Sequence, residues 1–573
     1  MRTTKYLLYT LKETPHDAKI ISHQLMLRSG MIRKLSTGLY IWLPTGIRIL
    51  KKIKKIIEKE MKKINAFEIS MPIMQPEYLW KESGRLKIYG DELLSFFDRR
   101  KNNFILSPTN EEIITYFVRN ERYSYKSLPV ILYQIKEKFR DEIRPRCGVV
   151  RAREFIMKDA YSFHINQNCL EKTYDILYQS YCNIFKKIKI NFHVVKANSG
   201  SIGGNISHEF QALSPNGEDE IVFSSNFSYA TNMNLAESLE KINFFKNYQS
   251  SNIIKKNLIS KKKLIKIPHQ KILISNHIKT ILVKTNAKNK YNIALLLIRS
   301  DHEINVFKIE KIDIILKPIT FVNENETMSI LGIKNNFLGP IGLNVPIIAD
   351  VSVAQMKDFT IGANIENHYF INVNWDIDLP LPIIKDIRKV TEKDMSPDGM
   401  GLLKIRKSIE IGHIFQLGQE YSKKMNASIK QKNGNKKNIY MGCYGIGITR
   451  IIASIIEQNH DSHGIIWPIG ISPFEVAILP INMKKYIDIY NLSEFLYKKL
   501  KEKKIEVILD DRNEQPGIMF SEMDLIGIPH QIIVSPRCIK EGNIEYRQRR
   551  NKKSIIMSKN KIIDFITTIL NKK

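Results

Sequence analysis

The chain has 573 residues, 43% of them hydrophobic and 26% charged, a balance that suits compact folding and excludes a disordered polyelectrolyte. At roughly 100–200 residues per domain, that length predicts about three or four domains. The formal net charge of +31 invites a polyanion (RNA, DNA or anionic lipid) through counterion release, although an AT-rich coding sequence favouring Lys, Ile and Asn accounts for such an excess equally well.

The first residues, MRTTKYLLYTLKETPHDAK, turn polar too soon for a secretory signal, and no uninterrupted apolar run is long enough to span a bilayer. Residues 47–64 read IRILKKIKKIIEKEMKKI, where Leu50, Ile53, Ile57, Met61 and Ile64 form one apolar stripe on a lysine-rich helix. AFEISMPIMQP follows as a short strand-like run ended by prolines. Between about 224 and 270 the composition shifts to Asn, Ser and Lys without periodicity, which marks a boundary. Beyond it come the β-type runs KTILVKT, NIALLLIRS and PIIADVSVA, closing near the turn SPDG at 396–399, as in a separate inserted domain. From about 473 the chain alternates FEVAILPI, NLSEFLYKKLKEKK, IEVILDD and HQIIVSP, the rhythm of a small βαβ-type domain. Cys147, Cys169, Cys182, Cys443 and Cys538 are scattered without a Cys-x-x-Cys pair, which fits a reducing cytoplasm and no structural zinc.

Two segments carry the chemistry. FRDEIRPRCGVVRAREFIMKDAYSF, residues 139–163, sets Arg140 and Glu142 on one face of an apparent strand, then a basic loop, then Arg151 and Phe155 on a returning strand. Such a hairpin could clamp a nucleotide: Arg140 meets a phosphate with a planar fork of donors, Glu142 accepts from adenine or orders Mg2+, and Phe155 stacks beneath the base. Taken alone, it reads more readily as a charged surface hairpin. GCYGIGITR, residues 442–450, places glycines where a strand turns into a helix and delivers Arg450 at the helix start, where it can neutralise a triphosphate. By itself that run is as readily a packing device.

In order, the prolines after the long helix, the Arg-x-Glu hairpin and the Gly-rich run ending in arginine resemble the three motifs of class II aminoacyl-tRNA synthetases. LSPTNEE at 106–112, RPRCGVVRAREFIMKDAYSFH at 144–164, GGNISHEF at 203–210 and GHIFQLGQEYS at 412–422 look specifically like the bacterial-type prolyl-tRNA synthetases, over essentially the whole chain. The resemblance implies an α+β protein. An antiparallel-sheet catalytic core would occupy 1–223 and 408–472, interrupted by an α/β editing domain with its linkers at 224–407 and followed by an α/β anticodon-binding domain at 473–573.

Carried residue by residue, it implies that Thr109 and Glu111 hold the secondary ammonium of proline. His208, Glu209, Phe210 and Cys443 belong to the proline pocket and its supporting shell, with Cys443 lining it and not acting as a nucleophile. Arg140 holds the α-phosphate and the proline carboxylate, Arg151 and Arg450 hold the outer phosphates of ATP, and Mg2+ bridges phosphate oxygens; Arg140, Glu142 and Arg450 are the expected catalytic set. Arg144 reaches the acceptor end of tRNA(Pro). Because lost methylene contacts discriminate by only about 1–3 kcal/mol each, alanine enters a proline pocket, and a second hydrolytic sieve makes physical sense. Lys279, Asp350 and His368 match its motifs. Asp510, Asp511, Arg512 and Glu514 can read anticodon bases, although a buried salt bridge is an equal reading for Asp511 and Arg512. The long helix is expected at a homodimer interface, and no membrane is involved.

Overall fold

The computed structural model describes residues 1–121, 124–225, 228–240, 260–266, 276–287, 290–431, 434–468 and 470–571. Most of the Asn/Ser/Lys-rich boundary expected at 224–270 therefore lies outside the described residues. The chain divides into two compact units, one of residues 1–195, 199–219 and 407–573, the other of 196–198 and 220–406.

In the first unit an antiparallel sheet runs in the order Ile206–Leu213, Lys404–Gly418, Tyr440–Gly447, Glu154–His164 and Val130–Phe139, with Phe67–Glu68 added in parallel at its edge. The predicted long helix spans Pro44–Lys63, with proline supplying a preset φ in its first turn. Its apolar stripe, including Ile49, Leu50, Ile53, Ile57 and Met61, is fully buried in the same core as the helices Gln167–Ile188 and Ile448–Gln458. The stripe is thus core packing, and an interface made by this helix would have to use its other faces.

The hairpin also differs in detail from its sequence reading. The outgoing strand ends at Phe139 and the returning one starts at Glu154, so Arg140, Glu142 and Arg151 sit in the connecting loop and only Phe155 is on a strand. The Arg140 amide still donates to the Arg153 carbonyl at 2.9 Å, which keeps the loop tied across its neck.

The first unit also contains a five-stranded sheet ordered Val507–Leu509, Val476–Pro480, His530–Val534, Asn543–Gln548 and Ser554–Ser558, the first three parallel and the rest antiparallel. Helices Ile487–Glu502 and Pro516–Ile526 are its crossovers, as the alternating rhythm predicts. In the second unit, Ile278–Lys284, Ile293–Arg299, Ile347–Asp350 and Ile383–Lys385 form one mixed sheet, and Lys263–Lys266, His368–Val373 and Phe359–Gly362 a small antiparallel one. The fold is α+β throughout. Among the described residues no helix is long and apolar enough to cross a membrane.

Candidate active site

Strand register decides which of the expected residues share one face of the catalytic sheet. Cys443 pairs with Phe415 and Tyr161, and Glu209 pairs with His413, so these side chains share a face by the two-residue period of a strand. His208 and Phe210 therefore point the other way. His208 Nδ1 lies 2.7 Å from the Tyr174 hydroxyl, and Phe210 is fully buried against Tyr178, Tyr181 and Phe185 of the helix behind the sheet. Their assignment to proline binding is corrected accordingly: they support the sheet from behind, while Glu209 keeps its place on the working face.

Glu111 opens the helix Glu111–Asn120, where the helix dipole favours a carboxylate, and is wholly buried. Thr109 Oγ1 donates to its Oε2 at 2.5 Å and the Cys443 thiol to its Oε1 at 3.0 Å. Burial, reinforced by the adjacent Glu111 charge, pushes the Cys443 thiol far above its ordinary range, so it is a neutral donor and not a thiolate. The preceding loop is locked by a buried network in which Asn110 donates to Asp159 at 2.9 Å, Gln75 to Asn110 at 2.7 Å and Trp80 to Gln75 at 2.7 Å.

At the nucleotide end, the Arg140 guanidinium lies 5.2 Å from the Phe155 ring centroid, and its buried Nε has no protein hydrogen-bond partner. A buried unsatisfied donor is costly in a finished core and natural where a ligand completes the bond. Arg151 Nε donates to Glu142 at 2.8 Å. Arg450, on the first turn of Ile448–Gln458, donates to the Val150 carbonyl at 2.9 Å and to Glu410 Oε2 at 3.2 Å. Burial pushes the Glu410 carboxyl up, but the hydrogen bond and charge of His413 and the charges of Arg450 and Arg140 outweigh it and hold it at about 2. Arg140 and Arg450 thus act on one carboxylate. Glu209, Glu410 and His413 bring their ligand atoms within 4.8 Å of one another, a group able to hold a cation.

Tight backbone approach explains two glycines of these motifs. A Cβ on Gly442 would stand 2.2 Å from the Tyr444 hydroxyl, and one on Gly204, at φ +98°, would stand 2.4 Å from the Gln416 carbonyl oxygen. Sequence reasoning missed Arg85, Asp159, Glu410 and His413, which fall in stretches whose charged residues carry no period. Strand parity alone would separate Glu410 from His413, three positions on; a register shift between Phe210 and Gln211 sets Glu410 opposite Gln211, on the face of Glu209.

The remaining expected residues are more dispersed. Arg144 is exposed at the hairpin tip. Lys279 is exposed and lines a cavity of about 770 Å³ with His277, Ser300, Phe321 and Asn336. Asp350 is not on that lining: it is 1% exposed, accepts from the Ser352 hydroxyl at 2.6 Å and the Ile387 amide at 3.0 Å, and caps the short helix Val351–Ala354. His368 is likewise off the lining, with Nδ1 against the Glu366 carbonyl at 2.8 Å. Neither residue lines the cavity that Lys279 lines, so this cavity does not unite the three expected editing residues. Asp510 accepts from Thr3 and Arg512, Asp511 from Thr3 and Thr4, and Arg512 also reaches Glu522. That network corrects the base-reading assignment for these three and leaves Glu514 as the exposed member.

Comparison with known proteins agrees with this geometry. A model described as the tRNA synthetase class II core domain (G, H, P, S and T) matches residues 93–459, and one for an anticodon binding domain matches 475–569. A relative from Buchnera aphidicola subsp. Acyrthosiphon pisum (strain Tuc7), named proline–tRNA ligase, is 64% identical over 572 residues and covers 100% of both chains. Another of that name from Buchnera aphidicola subsp. Schizaphis graminum (strain Sg) is 63% identical over 571 residues, again covering 100% of both. The prolyl-tRNA synthetase of Cryptosporidium parvum, solved with halofuginone and AMPPNP, shares the fold at a TM-score of 0.58 and 14% identity, over 96% of this chain and 77% of that one. The same enzyme with L-proline and AMP gives 0.57 over the same shares. The chain belongs to the proline–tRNA ligases, a family of class II aminoacyl-tRNA synthetases.

Proposed function

We propose the following division of labour for ATP-dependent activation of L-proline and its transfer to tRNA(Pro). Glu111, steadied by Thr109 and the neutral Cys443 thiol, receives the secondary ammonium of proline. Arg140 takes the proline carboxylate and the α-phosphate, Phe155 stacks on adenine with Glu142 at its edge, and Arg151 and Arg450 neutralise the outer phosphates. The proline carboxylate attacks the α-phosphorus in line, pyrophosphate leaves, and the barrier falls through positioning and charge neutralisation without a covalent enzyme intermediate. The terminal ribose hydroxyl of tRNA then attacks the prolyl carbonyl and AMP leaves; Arg144 at the hairpin tip meets the acceptor end. Glu209 and Glu410 offer the hard oxygen ligands that Mg2+ prefers, and the ion, when bound, supplies charge to the phosphate oxygens. The observations that carry this reading are a buried Glu111 carboxylate bonded to Cys443 of the sheet, and Arg140 acting on Glu410 with an Nε that has no protein partner.

The test is amino-acid-dependent ATP–pyrophosphate exchange over all twenty amino acids. Proline supports it best and alanine weakly, and Arg450→Ala lowers it by about 100-fold or more. Exchange driven best by threonine, or none with folded protein, overturns the assignment.

The inserted unit acts as the second sieve, hydrolysing alanine mischarged onto tRNA(Pro), with Lys279 at the mouth of the 770 Å³ cavity binding the terminal phosphate of tRNA. Asp350 contributes by fixing the end of its strand. Lys279→Ala stops deacylation of alanyl-tRNA(Pro) while proline activation continues; undiminished hydrolysis in that variant refutes the role. Glu514 is the anticodon-reading candidate that remains exposed. The enzyme works as a homodimer in the cytoplasm, where its free thiols stay reduced.

A further inference from the structure

The proline pocket contains a second carboxylate for which the reaction has no use. Glu112 follows Glu111 in the first turn of the same helix, and both are 0% exposed. Two adjacent buried anions repel strongly, and the helix N-terminus offsets only part of the cost. Arg85, 3% exposed, answers them unequally. Its Nη1 lies 2.8 and 3.0 Å from the two Glu112 oxygens but 3.3 Å from Glu111 Oε2, and the Ser83 hydroxyl adds a 2.9 Å bond to Glu112. The rings of Trp80, Tyr89 and Tyr421 stand 5.0–5.3 Å from the guanidinium carbon and hold it there by cation–π attraction.

The charges do not cancel. One guanidinium faces two carboxylates, and the hydrogen bonds from Thr109 and Cys443 to Glu111 come from neutral groups. Burial and the neighbouring Glu111 push the Glu112 carboxyl up, while Arg85 pulls it down. With both carboxylates ionised one negative charge is left over, and the longer contact of Arg85 to Glu111 leaves it there, where the ammonium of proline would complete the balance.

We propose that Arg85 is a positioning residue that sets the charge of the proline pocket: by pairing with Glu112 it leaves Glu111 as the one uncompensated carboxylate, which selects a cationic amine. The proposal rests on Glu111 as the ammonium receptor. Its consequence is a rescue pattern that a merely structural ion pair does not produce. Without Glu112, Arg85 turns to Glu111 and cancels the charge that the substrate needs. With both Arg85 and Glu112 replaced by neutral side chains, Glu111 stands alone and the pocket recovers its single charge.

The experiment measures KM for proline and for ATP, with kcat, in pyrophosphate exchange by Glu112→Gln, the double variant Arg85→Met/Glu112→Gln, and Glu111→Gln. Glu112→Gln is expected to raise the KM for proline about ten-fold or more with the KM for ATP unchanged, the scale of a charge-assisted hydrogen bond. Adding Arg85→Met brings it back toward the wild-type value. An unchanged proline KM in Glu112→Gln overturns the proposal, and so does a double variant no better than Glu112→Gln. Glu111→Gln separates the two layers: wild-type proline KM there removes the role of Glu111 itself, whereas its loss beside an unaffected Glu112→Gln removes only the inference about Arg85.

Discussion

Behind the catalytic sheet, on the side away from Cys443, stands a lysine with no access to water. Lys158 is 0% exposed, its Nζ donates to the Tyr181 hydroxyl at 2.6 Å and lies 4.4 Å from that ring's centroid, and burial pushes its pKa from 10.5 down to about 7. In the unfolded chain the ordinary value returns. Between about pH 7 and 10.5 the unfolded state therefore holds a proton that the folded state has lost, so this group makes stability rise with pH across that window and costs most below it. Lys158→Met keeps the length of the chain and removes the charge. It is expected to stabilise the protein at pH 6 by about 1–3 kcal/mol, net of the lost bond to Tyr181, with the gain shrinking toward pH 10. Urea melts of both forms at the two pH values check this, and a pH-independent difference or a net loss at pH 6 sinks it. At this scale the sequence was legible in that Arg140 and Arg450, singled out from two separate motifs, act on one carboxylate, Glu410. It was not legible for Arg85, whose meaning comes from two carboxylates 26 and 27 positions away in sequence.

Elements were legible where their period is long. The stripe over 47–64 yields a helix at Pro44–Lys63, and Asn65 in the left-handed region, at φ 55°, closes it. The C-terminal alternation likewise yields strands and crossover helices in the predicted order. Strand faces are another matter. In ISHEFQAL the alternation separates Glu209 from His208 and Phe210, but nothing local says which side faces the substrate. Pairing supplies that: Glu209 opposite His413 joins the site, and Phe210 opposite Gly412 joins the helix behind. A one-residue change of register would exchange the two sets, so the placement of His208 follows from its partner strand and not from its own neighbours.

At the scale of the whole molecule, the first residues join the C-terminal sheet, where the Met1 ammonium donates to the Val507 carbonyl at 2.7 Å and Thr3 to Asp510 at 3.0 Å. The 1% exposed Arg549 grips Asp461 of the catalytic core at 2.6 and 2.8 Å, and Arg48 of the long helix donates to Glu506 at 2.8 Å, so the tail sheet is tied to the core at several points within one compact unit. Among the described residues an apolar groove of about 360 Å³ is open, lined by Ile69, Met71, Pro72, Ile113, Tyr116 and Phe117, next to Phe67 at 62% exposure. That groove, and not the buried stripe of the long helix, is where a second copy is expected. Sedimentation should give a mass near twice 66.7 kDa, and Phe67→Glu, which buries a charge in the contact, should shift the enzyme toward single copies. A wild-type chain that sediments as one copy at micromolar concentration rules the contact out.

By itself the sequence determined the family and the order of the elements, because motifs and periodicity are local properties. Only the tertiary structure decided that Arg85 pairs with Glu112, that Glu209 and Glu410 meet, and that Asp350, Asp510 and Asp511 are spent on internal bonds. Those outcomes depend on which distant strand lies alongside, and the free energy of a buried charge is set by the neighbours that packing brings to it.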